Sequence, residues 1–367
     1  MKFGSFAALS CRLRRQTFLF LFPTLQLLPM DQKPATIKEI AKRLNVSVST
    51  VSRALHNHPS IGLRTRMQVQ KLAQELNYEP NQAAISFKQG KSLLIGVILP
   101  NLGEEFFSIA INGIEDVATQ NNYTVLVGQS HDDIEREKKI VDSMRKHRVD
   151  GILVSLAKTT DNVEHFEQLK KYKIPVVFFD RVPASPAFYS VSCNLKKSSV
   201  QLVDWLTSHD HKRIAFIKGP ATLKPSQERL DGYADGLKQN GLLLQEELIV
   251  QTDLSKEKTQ QAMQQLLSLA KPPTAVIAFN DYVALDAIKY SREQGLQINK
   301  DISFVSYANL PVTSYLDHPP VASVEQFPYE QAEKATSVLL QLIQAKGEEL
   351  GIEKKTVLDS KVVVSSQ

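Results

Sequence analysis

The chain is poor in the residues that build covalent and metal frameworks. Its two cysteines, Cys11 and Cys193, lie far apart, so no zinc or redox spacing and no disulfide scaffold is available, a composition suited to a reducing compartment. The eight histidines form no metal-ligand spacing; His209 and His211 flank Asp210 in what reads as a solvated loop. No G-x-S-x-G, no Walker-type phosphate loop and no G-x-G-x-x-G after a strand occurs, which removes the common enzyme signatures. No cofactor or metal is expected. Also lacking is an apolar run long enough to span a bilayer. The best candidate, TFLFLFPTLQLL at 17–28, is short and interrupted by Pro23. Arg12, Arg14 and Arg15 precede it as in a signal peptide, yet no small-x-small cleavage site follows. Residues 1–29 are therefore expected to be an extension without a fold of its own, with Met30 as the start of the working protein.

What is present is a cationic head on an acidic body. Residues 30–91 hold ten Lys+Arg against four Asp+Glu, whereas residues 92–367 hold 30 against 35. Concentrated positive charge suits phosphate binding, because each neutralised phosphate releases counterions. At 367 residues and 43% hydrophobic content, the chain can build two or three domains of ordinary globular composition.

Within the head, TIKEIAKRLNVSVSTVSRAL (36–55) places Ile37, Ile40, Ala41 and Leu44 on one helical face. Thr36 and Glu39 have the spacing of a capping box. Asn45 breaks the period, and Ser47 can cap a second helix that buries Val51 and Leu55. The face left over carries Ser49, Thr50, Ser52 and Arg53. Two short helices, a tight turn and a small polar face predict a helix-turn-helix, although most αα-hairpins bind nothing. A third helix follows, burying Val69, Leu72, Ala73 and Leu76 and ending before Pro80. Gly62 offers it only a weak cap. NQAAISFKQG (81–90) then reads as a short, weakly helical linker.

From Leu93 the texture changes. Apolar runs at 93–100, 124–130, 151–157, 175–181, 213–219, 275–280 and 302–308 alternate with amphipathic helices such as 104–120 and 133–148. Strands apolar throughout belong in parallel sheets covered on both faces. The pattern occurs twice, which predicts two doubly wound subdomains whose ligand-facing strand ends oppose each other across a cleft.

In the order TIKEIAKRLNVSVSTVSRAL, LNYEPNQAA and IGVILP, residues 33–367 resemble the lac/gal repressor family of bacterial transcription regulators. The resemblance implies an all-α helix-turn-helix head and an α/β body of periplasmic-binding-protein type. The expected boundaries are 33–79 for the head, 80–91 for a hinge helix, 92–191 plus 322–350 for the first subdomain, and 192–321 plus 351–367 for the second. By the same resemblance Val48, Ser49 and Arg53 would read bases, and Thr36, Ser47, Thr50 and Ser52 would hold phosphates. Chemistry agrees, since an arginine can pair with guanine and a valine can touch a thymine methyl. Asn81, Ala84 and Phe87 match a hinge helix in the minor groove. Phe87 suits either a wedge between base pairs or a core aromatic.

For the body, the resemblance points to Phe106 and Phe107, Asp180 and Arg181, Arg229, and Asn280 as effector contacts. The bland alternative for Arg229 is a surface helix cation. Where the family has Gly-Phe/Tyr-Asp, this chain has Ser306-Tyr307-Ala308-Asn309, so an effector-binding aspartate is missing and Asn309 is expected to substitute. The implied function is a cytoplasmic, homodimeric, ligand-responsive transcription regulator, a repressor of carbohydrate-use genes. It would bind a palindromic operator, with a sugar or sugar derivative in the cleft and no membrane partner. Activation in place of repression, an exported sugar-binding protein and a sugar-modifying enzyme are the rival readings.

Overall fold

Thr36 starts the first helix through its side chain: its hydroxyl oxygen accepts from the Glu39 amide at 3.3 Å. The computed structural model describes residues 35–80, 90–345 and 351–365, and the chain divides into two units, Met1–Ile85 and Ser86–Gln367. Helices α1 (Ile37–Arg43), α2 (Val48–Leu55) and α3 (Leu63–Glu75) make up the first. Ile40, Ala41, Val51, Ala54, Val69 and Ala73 form its core, with Leu44, Leu55, Leu72 and Leu76 packed around it. Asn45, Asn57 and Asn77 stand at positive φ after the three helices, a conformation asparagine tolerates better than most residues. The capping box is only half made, because the Glu39 carboxylate instead accepts from Arg43 at 2.6 Å. Gly62 caps α3 without a side-chain bond.

In the second unit, β1 (Leu94–Leu99), α4 (Glu105–Gln120), β2 (Thr124–Gln129), α5 (Ile134–Lys146), β3 (Gly151–Val154), α6 (Glu164–Glu167), β4 (Val176–Phe179) and β5 (Tyr189–Cys193) wind the first subdomain. The second subdomain follows as α7 (Leu195–Ser208), β6 (Ile214–Lys218), α8 (Lys224–Gln239), β7 (Ile249–Gln251), α9 (Lys256–Leu267), β8 (Ala275–Ala278), α10 (Asp281–Glu293), β9 (Ser303–Ala308) and β10 (Ala322–Glu325). The chain ends through α11 (Pro328–Ala345), β11 (Lys355–Leu358) and β12 (Lys361–Val364). Two six-stranded sheets result, in the orders β11-β5-β4-β3-β1-β2 and β12-β10-β9-β8-β6-β7. All strand pairs are parallel except β10 with β12. Central strands such as GILV in β3 and VVFF in β4 are buried along their whole length, as helices on both faces require.

The chain crosses between sheets three times: after Cys193, between Glu325 and Pro328, and between Leu358 and Lys361. This moves two expected boundaries. Residues 322–325 belong to the second sheet and not the first, and residues 355–358 belong to the first and not the second. Helix α11 returns to pack on α4 and on β3 to β5. Helix pairs approach closely at glycines. A Cβ on Gly232 of α8 would lie 2.2 Å from the Lys196 carbonyl oxygen of α7, and one on Gly113 of α4 would lie 2.5 Å from the Tyr329 oxygen of α11.

Candidate functional site

On the head, the start of α2 exposes residues expected to read bases. Val48 is 42% exposed, and Ser49 and Arg53 are exposed beside it. Ser47 accepts from the Thr50 amide at 3.0 Å, and its hydroxyl lies 2.7 Å from that of Ser49 and 2.8 Å from that of Thr50. One serine thus caps the helix and ties three hydroxyls together at its positive end, where a phosphate would be favoured. Thr36 is exposed, while Thr50 and Ser52 are half-buried. Asn81, Ala84 and Phe87 lie outside the described residues.

In the body, the C-terminal strand ends of both sheets converge on a cavity of about 40 Å³. It is lined by Phe106, Phe107, Asp180, Arg181, Arg229 and Asn280, as expected, and also by Glu104, Phe279, Tyr282, Ala308 and Gln326. Arg229 is 4% exposed. Its guanidinium lies between two rings, 4.2 Å from the centroid of Phe279 and 4.3 Å from that of Tyr307. Nη1 donates to the Phe279 carbonyl at 2.8 Å and Nη2 to Gln326 Oε1 at 3.1 Å. Its buried Nε has no protein partner. This is not a surface cation: burial pushes its pKa down, and two aromatic faces hold the charge. Beneath it, Tyr307 is pushed up to about 12 by burial and shares a 2.5 Å hydrogen bond with Ser199.

Asp180 follows β4 at φ 56 and accepts from Ser155 Oγ at 3.4 Å. Burial raises its pKa, opposed by the charges of Arg181 and Arg229. Arg181 is committed within its own subdomain: Nη1 meets Asp132 at 2.6 Å, and the guanidinium lies 5.5 Å from the Phe107 ring centroid. Asn280 caps α10, its Oδ1 accepting from Val283 at 2.9 Å. Glu104 is raised by burial, with Arg181 opposing.

Asn309 does not line the cavity. Its side-chain Nδ2 donates to the Glu325 carboxylate at 2.9 Å, and its neighbour Ala308, at φ 101, lines the cavity in its place. Asn309 therefore does not stand in for the missing aspartate. Asp281, fully buried, instead accepts from the Leu310 amide at 2.6 Å and from Ser323 at 2.8 Å, and also from Ser306, fixing this loop.

Hydrogen bonds also run directly between the two subdomains. The Tyr282 hydroxyl accepts from the Glu105 amide at 3.3 Å, and the Glu105 carboxylate accepts from the Val312 amide at 3.0 Å. Lys158 Nζ donates to the Asp253 carbonyl at 2.8 Å, and Thr222 Oγ1 donates to the Lys158 carbonyl.

Residues 95–349 match the periplasmic binding protein domain, and residues 36–81 match the bacterial regulatory proteins of the lacI family. The chain is 32% identical over 321 residues to the HTH-type transcriptional repressor CytR of Escherichia coli (strain K12), covering 88% of this chain and 93% of that protein. The chain belongs to the LacI family. It is similarly 32% identical to the HTH-type transcriptional repressor PurR of Klebsiella pneumoniae, over 86% of this chain and 92% of that protein. The crystal structure of the lac repressor dimer bound to operator and the anti-inducer ONPF superposes with a TM-score of 0.78 at 26% identity, covering 90% of this chain and 98% of that one. These LacI-family relatives are DNA-binding transcription regulators and not enzymes. No described helix is long and apolar enough to cross a membrane.

Proposed function

We propose that this LacI-family chain is a cytoplasmic, homodimeric repressor that binds a palindromic operator and answers to a small polar effector, a sugar or sugar derivative, in the inter-subdomain cleft. Arg229 carries the effector half of the reading. A buried guanidinium with two donors satisfied and Nε unpartnered is costly unless something completes it. A hydroxyl or ring oxygen would do so, with Asp180 as acceptor and Phe106 and Phe107 as apolar walls. Repression follows the named activity of the relatives, and dimerisation follows from one helix-turn-helix reading half of a palindrome. Val48, Ser49 and Arg53 are assigned to the bases, and Thr36, Ser47, Thr50 and Ser52 to phosphates.

The cavity, about 40 Å³, is far smaller than the roughly 300–1,000 Å³ of ordinary ligand pockets, which supports an opening of the cleft when a sugar binds. Opening breaks the Tyr282–Glu105, Val312–Glu105 and Lys158–Asp253 bonds and turns the subdomains about the three crossovers. An effector that binds the two arrangements unequally shifts their populations and, by linkage, operator affinity. The test is a thermal-shift panel of sugars, sugar phosphates, nucleosides and purines. Each hit is then titrated into a complex of the protein with a palindromic duplex selected from a random pool. A sugar that raises the melting temperature and changes duplex affinity is expected; stabilisation only by a purine or nucleoside would overturn the sugar assignment.

A further inference from the structure

Opposite the cleft, the N-terminal ends of the first sheet's strands form a second concavity. It lies where the chain enters the body at Gly90 and Lys91, beside Asp150 before β3 and Pro175 before β4. Its volume is about 1030 Å³, and its cations are Lys91, Arg145, Lys146, Arg148, Lys170 and Lys173. Asp142 pairs with both Arg145 and Lys146. Among the described residues no carboxylate pairs with Lys91, Arg148, Lys170 or Lys173, and the last three are exposed. Arg148 and Lys173 both stand at positive φ, 55 and 57, corners where glycine is the unstrained residue. This basic rim sits on a body whose acidic side chains outnumber its basic ones by 35 to 30.

We propose that the rim holds backbone phosphates of the DNA flanking the site read by the helix-turn-helix. The inference rests on the DNA-binding reading above. Ten residues from Pro80 to Gly90 span at most about 35 Å, so DNA held by the head offers phosphates to Lys91 and its neighbours at high effective concentration. Lysine and arginine side chains suit phosphate oxygens and need no base contact. The rim adds affinity and salt dependence without adding sequence preference.

The test uses the full chain and a palindromic duplex selected from a random pool, made at about 20 base pairs and again at about 50 with flanks on both sides. Affinity is measured against salt concentration for the wild type and for Lys91→Gln/Arg148→Gln/Lys170→Gln/Lys173→Gln. On the long duplex the salt slope is expected to fall by about 0.9 for each phosphate the variant no longer neutralises, with the short duplex little changed. Arg148→Gly/Lys173→Gly, placed where glycine fits the backbone, removes two charges without threatening the fold and should give part of the same fall. Slopes unchanged on both duplexes would overturn the proposal and leave the rim to an acidic protein partner. An equal fall on both lengths would also overturn it, since the flanks would then play no part. Arg53→Ala is the control: if it leaves both duplexes bound as before, the helix-turn-helix reading fails, and not the rim.

Discussion

Arg229 and Gln326 join the cleft cavity to the turning points of the chain. Arg229 Nη2 donates to Gln326 Oε1 at 3.1 Å, and the Gln326 carbonyl accepts from the Cys193 thiol at 2.9 Å and from Gln331 at 2.7 Å. Gln326 lies on the second crossover and Cys193 at the end of the strand before the first. A bound group that moved the guanidinium would act on the second crossover through Gln326 and, through the Gln326 carbonyl, on the strand end before the first.

Arg229→Ala should abolish the effector-induced thermal shift and leave operator affinity without effector within about threefold of wild type, because coupling is lost and the reading head is untouched. Arg229→Lys should also lose most of the shift, since an ammonium cannot reproduce the planar fork between two rings. A full shift in Arg229→Ala would show that the cavity is not the effector site.

Burial raises the Asp180 pKa above the ordinary carboxylate value of 3.8. The folded chain then keeps this proton at pH values where the unfolded chain has lost it. Stability linked to Asp180 falls as pH rises through that window, and the penalty is complete above the raised pKa. Asp180→Asn removes the penalty. Its melting temperature should exceed that of wild type at pH 7, with the gap narrowing as pH falls toward 3.8; a gap that widens on acidification would contradict the burial argument.

Gly232→Ala would press a methyl group to 2.2 Å from the Lys196 carbonyl oxygen and 2.6 Å from Ser199 Cβ. Two helix backbones must separate, which should cost about 1–3 kcal/mol in denaturant unfolding. Gly62→Ser is the opposite case: the site has open space and a φ of −60. Supplying the missing cap of α3 should stabilise the head by a few tenths of a kcal/mol, about the usual gain of serine over glycine there.

On α2, Ser47→Ala should cost about 1 kcal/mol of head stability through the lost cap, seen as earlier loss of helical signal on heating. Val48→Ala and Arg53→Ala should leave stability unchanged and weaken selected over random DNA by about 1–3 kcal/mol each. Equal weakening on both DNAs would mark them as phosphate-binding residues.

The head and the inner strands are legible in the sequence because their signals are local. Helical periodicity at Ile37, Ile40, Ala41 and Leu44, and the capping hydroxyls of Thr36 and Ser47, require only near neighbours. Continuous apolar runs such as PVVFFDR announce strands buried on both faces. Strands β5, β7, β10, β11 and β12 are not visible in this way: they are short, and several carry polar or exposed residues. Their place depends on pairing partners distant in sequence.

Sequence by itself determined a helix-turn-helix joined to two parallel-sheet subdomains, because patterning and capping act over a few residues. Only the tertiary structure decided which polar groups meet. Helical spacing did not show whether Arg229 faced solvent or core, and the rings of Phe279 and Tyr307 that enclose it come from other elements. Ala308 and Asn309 are adjacent in sequence, yet backbone geometry turns the first into the cavity and the second toward Glu325. Gln326 gained its role from a crossover whose position long-range strand pairing sets, and no local pattern records such pairing.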